Sequence, residues 1–448
     1  MIPRRTFLKY ATATTFAFTG LERWMAQPSF AEGGYGPLLS DEGRVLNLPR
    51  GFSYQIISRT GERMTDGFLV PGAHDGMAAF GDRSGRTIIV RNHELGSGSS
   101  EVGPFGAKNV LMSKLRQSDI YDTAPGLGGT TTLVYDTRTK RLEQHYLSLA
   151  GTMRNCAGGP TPWNTWISCE ETMQRADSDH RKDHGYNFEV PAGDGLAVPI
   201  PLKAMGRFNH EAIAVGPAGI VYQTEDRGDG LIYRFIPNRP QNLQQGGRLQ
   251  ALKIRDQAGL NTNNRSGSRI PVKTKLQTEW VDLENVESPE DDLRQQGHSR
   301  GAATFDRGEG IWTGQDGIYF TCTAGGRSSA GQIWRYVPSS HEGTPEERNN
   351  PGTLELFIEP NDTRLLDSAD NLTIAPWGDI FLCEDGPGDN RIIGVTRQGE
   401  IYDFARNVMN NSELAGATFS PDSTTLFVNI QNPGLTLAIT GPWRRGNS

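Results

Sequence analysis

Short stretches of alternating apolar and polar residues recur along the chain, separated by turns rich in glycine, proline and aspartate. In each copy of the repeated unit, a run that begins with a polar residue leads through such a turn into a β-branched or aromatic run that ends in a polar or acidic residue. The six copies lie at 75–94, 156–171, 211–226, 309–323, 371–385 and 415–429. Because period-two alternation flanks a tight turn, each copy predicts two antiparallel strands.

Further strand-like runs at 130–136, 231–236 and 332–337 supply the outer strands of the same units. The copies recur about every 67 residues, compared with ~40 to 50 in compact propellers, and we assign the excess to inserted loops, notably 237–268 and 339–351. The predicted fold class is all-β: a six-bladed β-propeller with long inter-strand loop insertions. A two-domain sandwich arrangement is the alternative.

The composition narrows the classes of function. The chain of 448 residues contains 54 Gly and 26 Pro and has a formal net charge of −7, which favours a turn-rich fold and argues against nucleic acid as a partner. Outside the extreme N-terminus no run of 18 apolar residues occurs, so we expect no membrane span. We expect a monomer that acts on a small molecule.

The N-terminus resembles a Tat signal peptide. Arg4 and Arg5 precede Phe-Leu-Lys and a weakly apolar stretch, and Ser29-Phe30-Ala31 forms a small-x-small cleavage site. Removal of residues 1–31, which carry a net charge of +3, would leave 417 residues with a formal net charge of −10. We therefore expect a signal peptide at 1–31 and a single propeller domain at 32–448, exported by the Tat machinery to the periplasm or outside the cell. An ordinary basic N-terminus is the alternative.

Aligning the six copies places two sets of polar residues at equivalent positions of the predicted blades. The first strands begin at Asp75, Cys156, Glu211, Glu309, Asn371 and Ala415. The second strands end at Glu94, Glu171, Glu225 with Asp226, Thr323, Glu384 with Asp385, and Asn429. Equivalent positions on radially arranged blades meet around the axis, so both sets are predicted to converge on one mouth of the central channel.

Many carboxylates and one thiol so close together repel one another unless they are protonated, paired or bound to cations. Carboxylate oxygens suit Ca²⁺, whereas a thiolate among them favours a transition metal, so a mixed metal site is the simplest interpretation. Arg307, two residues before Glu309, is a candidate to bind phosphate, with a salt bridge to a carboxylate of the channel as the alternative. Both His93 and His210 follow an asparagine and precede a channel-facing glutamate, so we expect them to face away and support the site.

The remaining cysteines, Cys169, Cys322 and Cys383, lie in strand-like runs and are expected to be buried thiols, whereas Cys156 lies in a turn rich in glycine and proline. Whether any of the four pair stays open at this point.

The motif from Asn155 to Trp163, continuing to Ser168-Cys169-Glu170-Glu171, resembles the Cys-Ala-x-Gly-x-Thr-Pro-Trp … Cys-Glu-Glu signature of the PhoX alkaline phosphatases. The segments 92–94, 207–211 and 306–309 also agree with that family, in which Arg-Pro-Glu stands where this chain has Arg307-Gly308-Glu309. The family's usual histidine within the cysteine motif is Gly158 here.

This resemblance implies a six-bladed propeller that releases phosphate from phosphomonoesters, with two Fe³⁺ and three Ca²⁺ ions at one mouth. It also implies that Cys156 is a cysteine ligand of iron and that Glu171, Glu211 and Glu309 are acidic metal ligands. Arg307 is implied to bind phosphate. To these the repeat alignment adds Glu94, Asp226 and Asp385 as metal ligands. The alternatives are a calcium-dependent, lactonase-like hydrolase and a non-catalytic exported propeller.

Overall fold

The computed structural model describes residues 34–444 except 98, 100–101, 124–127 and 267–268. The predicted signal peptide at 1–31 therefore lies outside the described residues. The described chain contains 26 strands, one short α-helix, α1 (Leu293–Ser299), and five 3₁₀ segments. The 3₁₀ segments are Ala107–Lys114, Gln117–Asp119, Lys203–Met205, Leu243–Gln245 and Pro345–Arg348.

The strands follow one another with turns and loops between them, as the hairpin pattern predicts. The first ten are β1 (Leu38–Leu39), β2 (Leu46–Pro49), β3 (Ser53–Arg59), β4 (His74–Gly81), β5 (Thr87–His93), β6 (Gly129–Asp136), β7 (Arg141–Ala150), β8 (Asn155–Pro160), β9 (Thr165–Glu170) and β10 (Asn187–Pro191). The next nine are β11 (His210–Val215), β12 (Val221–Glu225), β13 (Ile232–Pro237), β14 (Gly247–Ile254), β15 (Lys275–Asp282), β16 (Gly308–Thr313), β17 (Ile318–Cys322), β18 (Gln332–Val337) and β19 (Thr353–Ile358). The last seven are β20 (Ala369–Ile374), β21 (Ile380–Glu384), β22 (Arg391–Val395), β23 (Ile401–Asn407), β24 (Leu414–Phe419), β25 (Thr425–Ile430) and β26 (Leu435–Thr440).

Six inner strands form a closed ring around a central axis. In ring order they are β4, β8, β11, β16, β20 and β24, each in contact with the next, and β24 returns to β4. Each inner strand begins an antiparallel meander that extends outward, which is the geometry of a propeller blade. The prediction of an all-β propeller is confirmed. The hydrogen-bonded sheets number five for the described residues, because β15 pairs with both β14 and β19 and so joins the third and fourth blades.

The core lies between neighbouring blades, where the buried faces of adjacent sheets pack against each other. Tyr222 of the third blade and Tyr336 of the fourth, for example, have ring centroids 5.5 Å apart. Since each sheet is covered on both faces, its strands are buried along most of their length, including polar residues such as Thr130, Thr131 and Thr132.

The ring is closed by a strand from the N-terminal part of the chain. β3 pairs antiparallel with β26 and completes the sixth blade, with Ile56 opposite Leu437. β2 pairs with β23 and extends the fifth blade. The last blade therefore forms only when the two ends of the chain come together, which makes closure depend on contacts of high sequence separation.

Aromatic side chains from both ends of the chain pack together beside this closure. Phe52 lies 5.2 Å from Phe404 and 4.7 Å from Trp443, and Tyr35 lies 5.6 Å from Phe404, between ring centroids. Arg444 donates a hydrogen bond from Nη2 to the carbonyl oxygen of Gly34 at 3.0 Å. This group, which we call the terminal clasp, holds the N-terminal segment against the fifth and sixth blades.

Two expectations from the sequence are wrong. The stretch 237–268 is not only an inserted loop, because it contains β14, the fourth strand of the third blade. Leu249 and Ala251 are buried in that strand, but the polar flanks hide this short alternation in the sequence. Cys156 lies in strand β8 rather than in a turn. All four cysteines, Cys156, Cys169, Cys322 and Cys383, are free thiols.

Among the described residues, no helix is long and apolar enough to cross a membrane.

Because the terminal clasp joins both ends of the chain, we expect removal of one of its central aromatic side chains to lower the stability of the protein strongly. Phe404 is fully buried among the aromatic residues of both chain ends, so Phe404→Ala should lower the free energy of unfolding by about 3–5 kcal/mol. Val110, 65% exposed, is the control, and Val110→Ala should change it by less than about 0.5 kcal/mol. Denaturant unfolding measures both, and equal stabilities would show that the clasp does not hold the ring closed.

Candidate metal centre

A β-bulge occurs near the start of all six inner strands. In five blades the register shifts directly after the first pair of the inner hairpin, and in the sixth it shifts after the second pair. At each shift two residues on the inner strand lie opposite one on the next strand. The first of the two bulged residues is, in blade order, Asp75, Cys156, Glu211, Glu309, Asp370 and Gly416. The bulge turns these residues toward the axis at one end of the ring.

Four of these positions agree with the alignment of the six sequence copies, whereas the fifth and the sixth each differ from it by one residue. Asp370, not Asn371, occupies the fifth position, and Gly416, not Ala415, the sixth. A bulge interrupts the alternation of faces, so the period of two cannot fix which of two adjacent residues faces the axis. The Asn371 side chain instead accepts a hydrogen bond from Gly416 N at 2.9 Å and donates one to Asp370 Oδ1 at 3.2 Å.

The bulged residues line a cavity of about 220 Å³ at this end of the ring, which we call the mouth cavity. Its lining in the described chain is Asp75, Glu94, Arg154, Cys156, Glu171, Glu211, Asp226, Arg307, Glu309, Asp370, Asp385 and Glu413. All eight residues predicted as metal ligands or phosphate binder are therefore brought together. Arg154, Asp370 and Glu413 were missed, although the Asp-Asn pair at 370–371 was the available signal for Asp370.

Of the paired candidates at the ends of the second strands, one member of each faces the cavity. Asp226 and Asp385 line it, whereas Glu225 and Glu384 point outward into their blades. Glu225 accepts hydrogen bonds from Tyr233 Oη at 2.7 Å and Leu231 N at 3.1 Å, and Glu384 is paired with Arg391 at 2.8 Å. The polar ring residues Thr323 and Asn429 donate to backbone carbonyls of the neighbouring blades, Ala369 O and Asp75 O respectively.

Three groups of ligand atoms lie close enough to share cations. The groups are Asp75, Glu94 and Cys156; Cys156, Glu171 and Glu211; and Glu211, Glu309 and Asp370, with the atoms of each group within 4.8 Å of one another. Cys156 belongs to the first two groups and Glu211 to the last two, so the groups form a continuous chain. Such sharing is the arrangement expected of bridging ligands between adjacent metal ions.

The electrostatics of the mouth cavity favour bound cations. Nine carboxylates face two guanidinium groups. Burial, reinforced by neighbouring carboxylates, raises the pKa of Asp75, Glu211, Glu309 and Glu413 well above the usual range. Burial also raises the pKa of Glu94 and of Asp370 to about 7.

Cys156 and Glu211 show most directly that the donor atoms suit a cation. The Cys156 thiol donates to Glu211 Oε1 at 3.0 Å, and burial raises the pKa of that thiol. Glu211 Oε2 is buried and has no hydrogen-bond partner among the described residues. An orphaned buried carboxylate oxygen is costly, and a cation that replaces the thiol proton would satisfy both groups. The donor set therefore fits a metal centre with oxygen ligands and one sulfur ligand.

Arg307 pairs with two carboxylates of the mouth cavity. Its Nε and Nη2 donate to Asp226 Oδ1 and Oδ2 at 2.8 and 3.0 Å, and Nη2 also donates to Glu309 Oε1 at 2.8 Å. The side chain is 41% exposed. The salt bridge expected as the alternative is thus present, and the exposed part of the guanidinium remains accessible to an anion.

His93 and His210 face away from the mouth cavity, as expected from the sequence, and neither lines it. His93 is buried and bonds to Gly72 O at 2.8 Å and Thr131 Oγ1 at 2.9 Å. His210 bonds to Gly206 O at 3.0 Å and stacks on Phe208 with ring centroids 3.6 Å apart. His93 thus braces the end of β5, directly before Glu94, and His210 braces the start of β11, directly before Glu211.

Gly158, the departure from the family motif, is required by the backbone of this chain. A Cβ at this position would lie 1.9 Å from the carbonyl oxygen of Ile167, a distance that no side chain tolerates without a shift of the strand. Close approach of β8 and β9 therefore explains glycine at this position.

Comparisons with known proteins identify relatives of this chain. The sequence profile of the family described as "Alkaline phosphatase PhoX" matches residues 33–434. The structure of Pseudomonas fluorescens PhoX in complex with vanadate, a transition state analogue, is 18% identical with a TM-score of 0.67, covering 91% of this chain and 97% of that chain. The gluconolactonase XC5397 from Xanthomonas campestris is 11% identical with a TM-score of 0.42, covering 91% of this chain and 98% of that chain. No curated protein sequence gives a significant match.

The raised pKa values predict how the stability of the metal-free protein depends on pH. Glu94 and Asp370 bind protons in the folded state at pH values where the unfolded chain, with pKa values near 4.5 and 3.8, has released them. The free energy of unfolding should therefore be greatest below about pH 4 to 5 as far as these groups are concerned, and fall as the pH rises through 7.

Thermal unfolding of chelator-treated protein between pH 5 and 8 measures this dependence. Asp370→Asn should flatten the decline, whereas the exposed control Glu143→Gln should leave it unchanged. Added Ca²⁺ should restore stability at pH 8, because a ligand of the folded state stabilises it by mass action. A metal-free protein equally stable at both pH values would contradict the electrostatic account.

Proposed function

The chain belongs to the PhoX alkaline phosphatase family, and from this premise we propose that it hydrolyses phosphomonoesters at the mouth cavity. The observation that carries the proposal is the continuous chain of three ligand groups joined through Cys156 and Glu211. A centre of adjacent cations is what the negative phosphoryl group of a small ester requires. The complex of Pseudomonas fluorescens PhoX with vanadate, a transition state analogue, supports the same chemistry for a protein of similar fold.

We propose that the centre holds two Fe³⁺ and three Ca²⁺ ions. Cys156, Glu171, Glu211, Glu309, Glu94, Asp226 and Asp385 are the ligands proposed from the sequence, and Asp75, Asp370 and Glu413 join them on the geometry of the cavity. When bound, the metals supply positive charge that stabilises the phosphoryl oxygens and activate the attacking oxygen. The single thiol accounts for a transition metal within an otherwise oxygen-rich site.

The protein's own residues bind and orient the ester. Arg307 donates to an anionic oxygen of the phosphoryl group while Asp226 and Glu309 hold its guanidinium in place. The inner strands beneath the cavity are buried, and a buried floor strengthens each electrostatic contact above it. Gln431 fixes two carboxylates of the first group by donating to Asp75 at 3.0 Å and Glu94 at 2.9 Å.

We also propose that the protein is exported by the Tat machinery and acts as a monomer in the periplasm or outside the cell. The twin arginine and cleavage motif at 1–31 support export. Tat transports folded proteins, and a ring whose last blade needs both ends of the chain is complete only after synthesis is finished. Loading of metals before export is compatible with that order.

Removal of a proposed metal ligand should abolish activity and metal binding together. Cys156→Ala and Glu309→Ala should lower phosphate release from p-nitrophenyl phosphate at alkaline pH by more than about 100-fold, since even partners of metal ligands are worth about 10- to 100-fold. Calcium removal should have the same effect. Elemental analysis of iron and calcium and a colorimetric assay measure both, with Glu143→Ala, on an outer strand, as the control.

The outcomes separate the alternatives. Iron-containing protein that hydrolyses no phosphate ester would overturn the proposed phosphatase function. Hydrolysis of lactones instead would favour the lactonase-like hydrolase. Purified protein free of both metals would favour a non-catalytic propeller.

Export depends on the paired arginines. Conversion of Arg4 and Arg5 to lysine should confine the protein to the cytoplasm of a Tat-competent bacterial host, whereas Arg23→Lys, outside the pair, should not. Cell fractionation and the N-terminal sequence of the exported form, expected to begin at Glu32, provide the measurement. Unchanged export of the doubly substituted protein would show that another signal is used.

A further inference from the structure

Arg154 occupies in the second blade the place that Arg307 occupies in the fourth. Each precedes the bulged residue of its inner strand by two positions, Cys156 in one case and Glu309 in the other. Each has a positive φ, 45° for Arg154 and 56° for Arg307, which is uncommon for a non-glycine residue. The repeated backbone therefore aims both side chains in the same way relative to their blades.

The contacts of the two arginines are also alike. Arg154 Nη2 lies 2.6 Å from Glu94 Oε1 and also contacts Glu171 Oε2, and its Nε donates to the carbonyl oxygen of Glu171 at 3.0 Å. As with Arg307, Nε and Nη2 are the nitrogens in use. Across the described residues, Nη1 of neither arginine has a hydrogen-bond partner, and the side chains are 43% and 41% exposed. Each guanidinium thus retains donors at the edge of the mouth cavity.

The two arginines stand on either side of Glu211. Arg154 comes from the second blade and pairs with Glu171, which shares a ligand group with Glu211. Arg307 comes from the fourth blade and pairs with Glu309, which shares the next group with Glu211. An anion bound over the ligand groups joined by Glu211 would therefore be approached by an arginine from each neighbouring blade.

We propose that Arg154 is a second anion-binding residue, so that Arg154 and Arg307 together bind the phosphoryl oxygens of a dianionic phosphate monoester. This inference rests on the proposed phosphatase function and deepens it by naming the charge state that the site selects. A monoester has three non-bridging oxygens and two negative charges, whereas a diester has two such oxygens and one charge. Two guanidinium groups on opposite sides match the monoester better, because each offers donors to a different oxygen.

Binding of inorganic phosphate to the metal-loaded protein tests the proposal without relying on turnover. Calorimetric titration of Arg154→Gln should show affinity about 10- to 100-fold weaker than that of the unsubstituted protein, the usual worth of a hydrogen bond to a charged group. Arg154→Lys keeps the charge but not the fork and should fall between them. Arg86, ion-paired with Glu143 and similarly exposed but outside the cavity, provides the matched control Arg86→Gln.

If Arg154 served only to hold Glu94 and Glu171 in place, its substitution would change the metal content of the protein. The proposal expects unchanged iron and calcium contents in Arg154→Gln, and a fall of about 10-fold or more in the ratio of kcat/KM for p-nitrophenyl phosphate to that for bis(p-nitrophenyl) phosphate. Metal loss in proportion to the lost phosphate affinity would overturn it. Unchanged phosphate affinity in Arg154→Gln would overturn it as well.

The remaining outcomes are equally decisive. Unsubstituted protein that binds phosphate but hydrolyses no ester would refute the proposed function, while the Arg154→Gln titration still decides the role of Arg154. Unsubstituted, metal-loaded protein that binds no phosphate would refute both. If Arg154→Gln does not fold, Arg154→Lys decides: wild-type phosphate affinity together with a wild-type preference for the monoester would overturn the proposal.

Discussion

The concentration of negative charge in the mouth cavity sets the electrostatic cost that the surrounding scaffold must withstand. Nine carboxylates of the described chain share about 220 Å³ with two guanidinium groups and one thiol. Brought together without cations, they must keep protons or repel one another. Burial, reinforced by neighbouring carboxylates, raises the pKa of Glu94 and of Asp370 to about 7. A site of this kind persists only on a scaffold that is rigid without it, and a closed ring of blades whose last sheet joins both ends of the chain is such a scaffold.

The six bulges connect this scaffold to its chemistry. A regular strand would direct neighbouring residues to alternating faces, and the bulge instead turns one chosen residue per blade toward the axis. Since the same device is used six times, one local backbone geometry generates a ring of ligands from residues far apart in sequence. The sixth blade carries Gly416 at this position and contributes a carboxylate from Glu413, just before its inner strand, so the symmetry of the backbone is not matched by symmetry of the ligands.

The arginines illustrate the same relation between repeat and function. Arg154 and Arg307 hold equivalent backbone positions with similar left-handed conformations, and each is held by two carboxylates while part of its guanidinium stays exposed. Partial neutralisation and anion binding are therefore not exclusive roles. A guanidinium fixed by carboxylates is already oriented, so little side-chain entropy remains to be lost when an anion binds.

The all-β repeat and the residue types of the site can be predicted from the sequence, because period-two alternation, turn residues and acidic strand ends are local properties that recur in each unit. The sequence correctly brought Cys156, Glu211 and Glu309 to one end of the ring. It could not choose Asp370 over Asn371, because a bulge erases the alternation on which that choice depends. Nor could it find Arg154 or Glu413, which lie outside the strands that were aligned. These residues became evident only once the blades were placed around the axis. The same holds for the sharing of Cys156 and Glu211 between ligand groups and for the closure through β3, since each depends on distances between blades that no local pattern encodes.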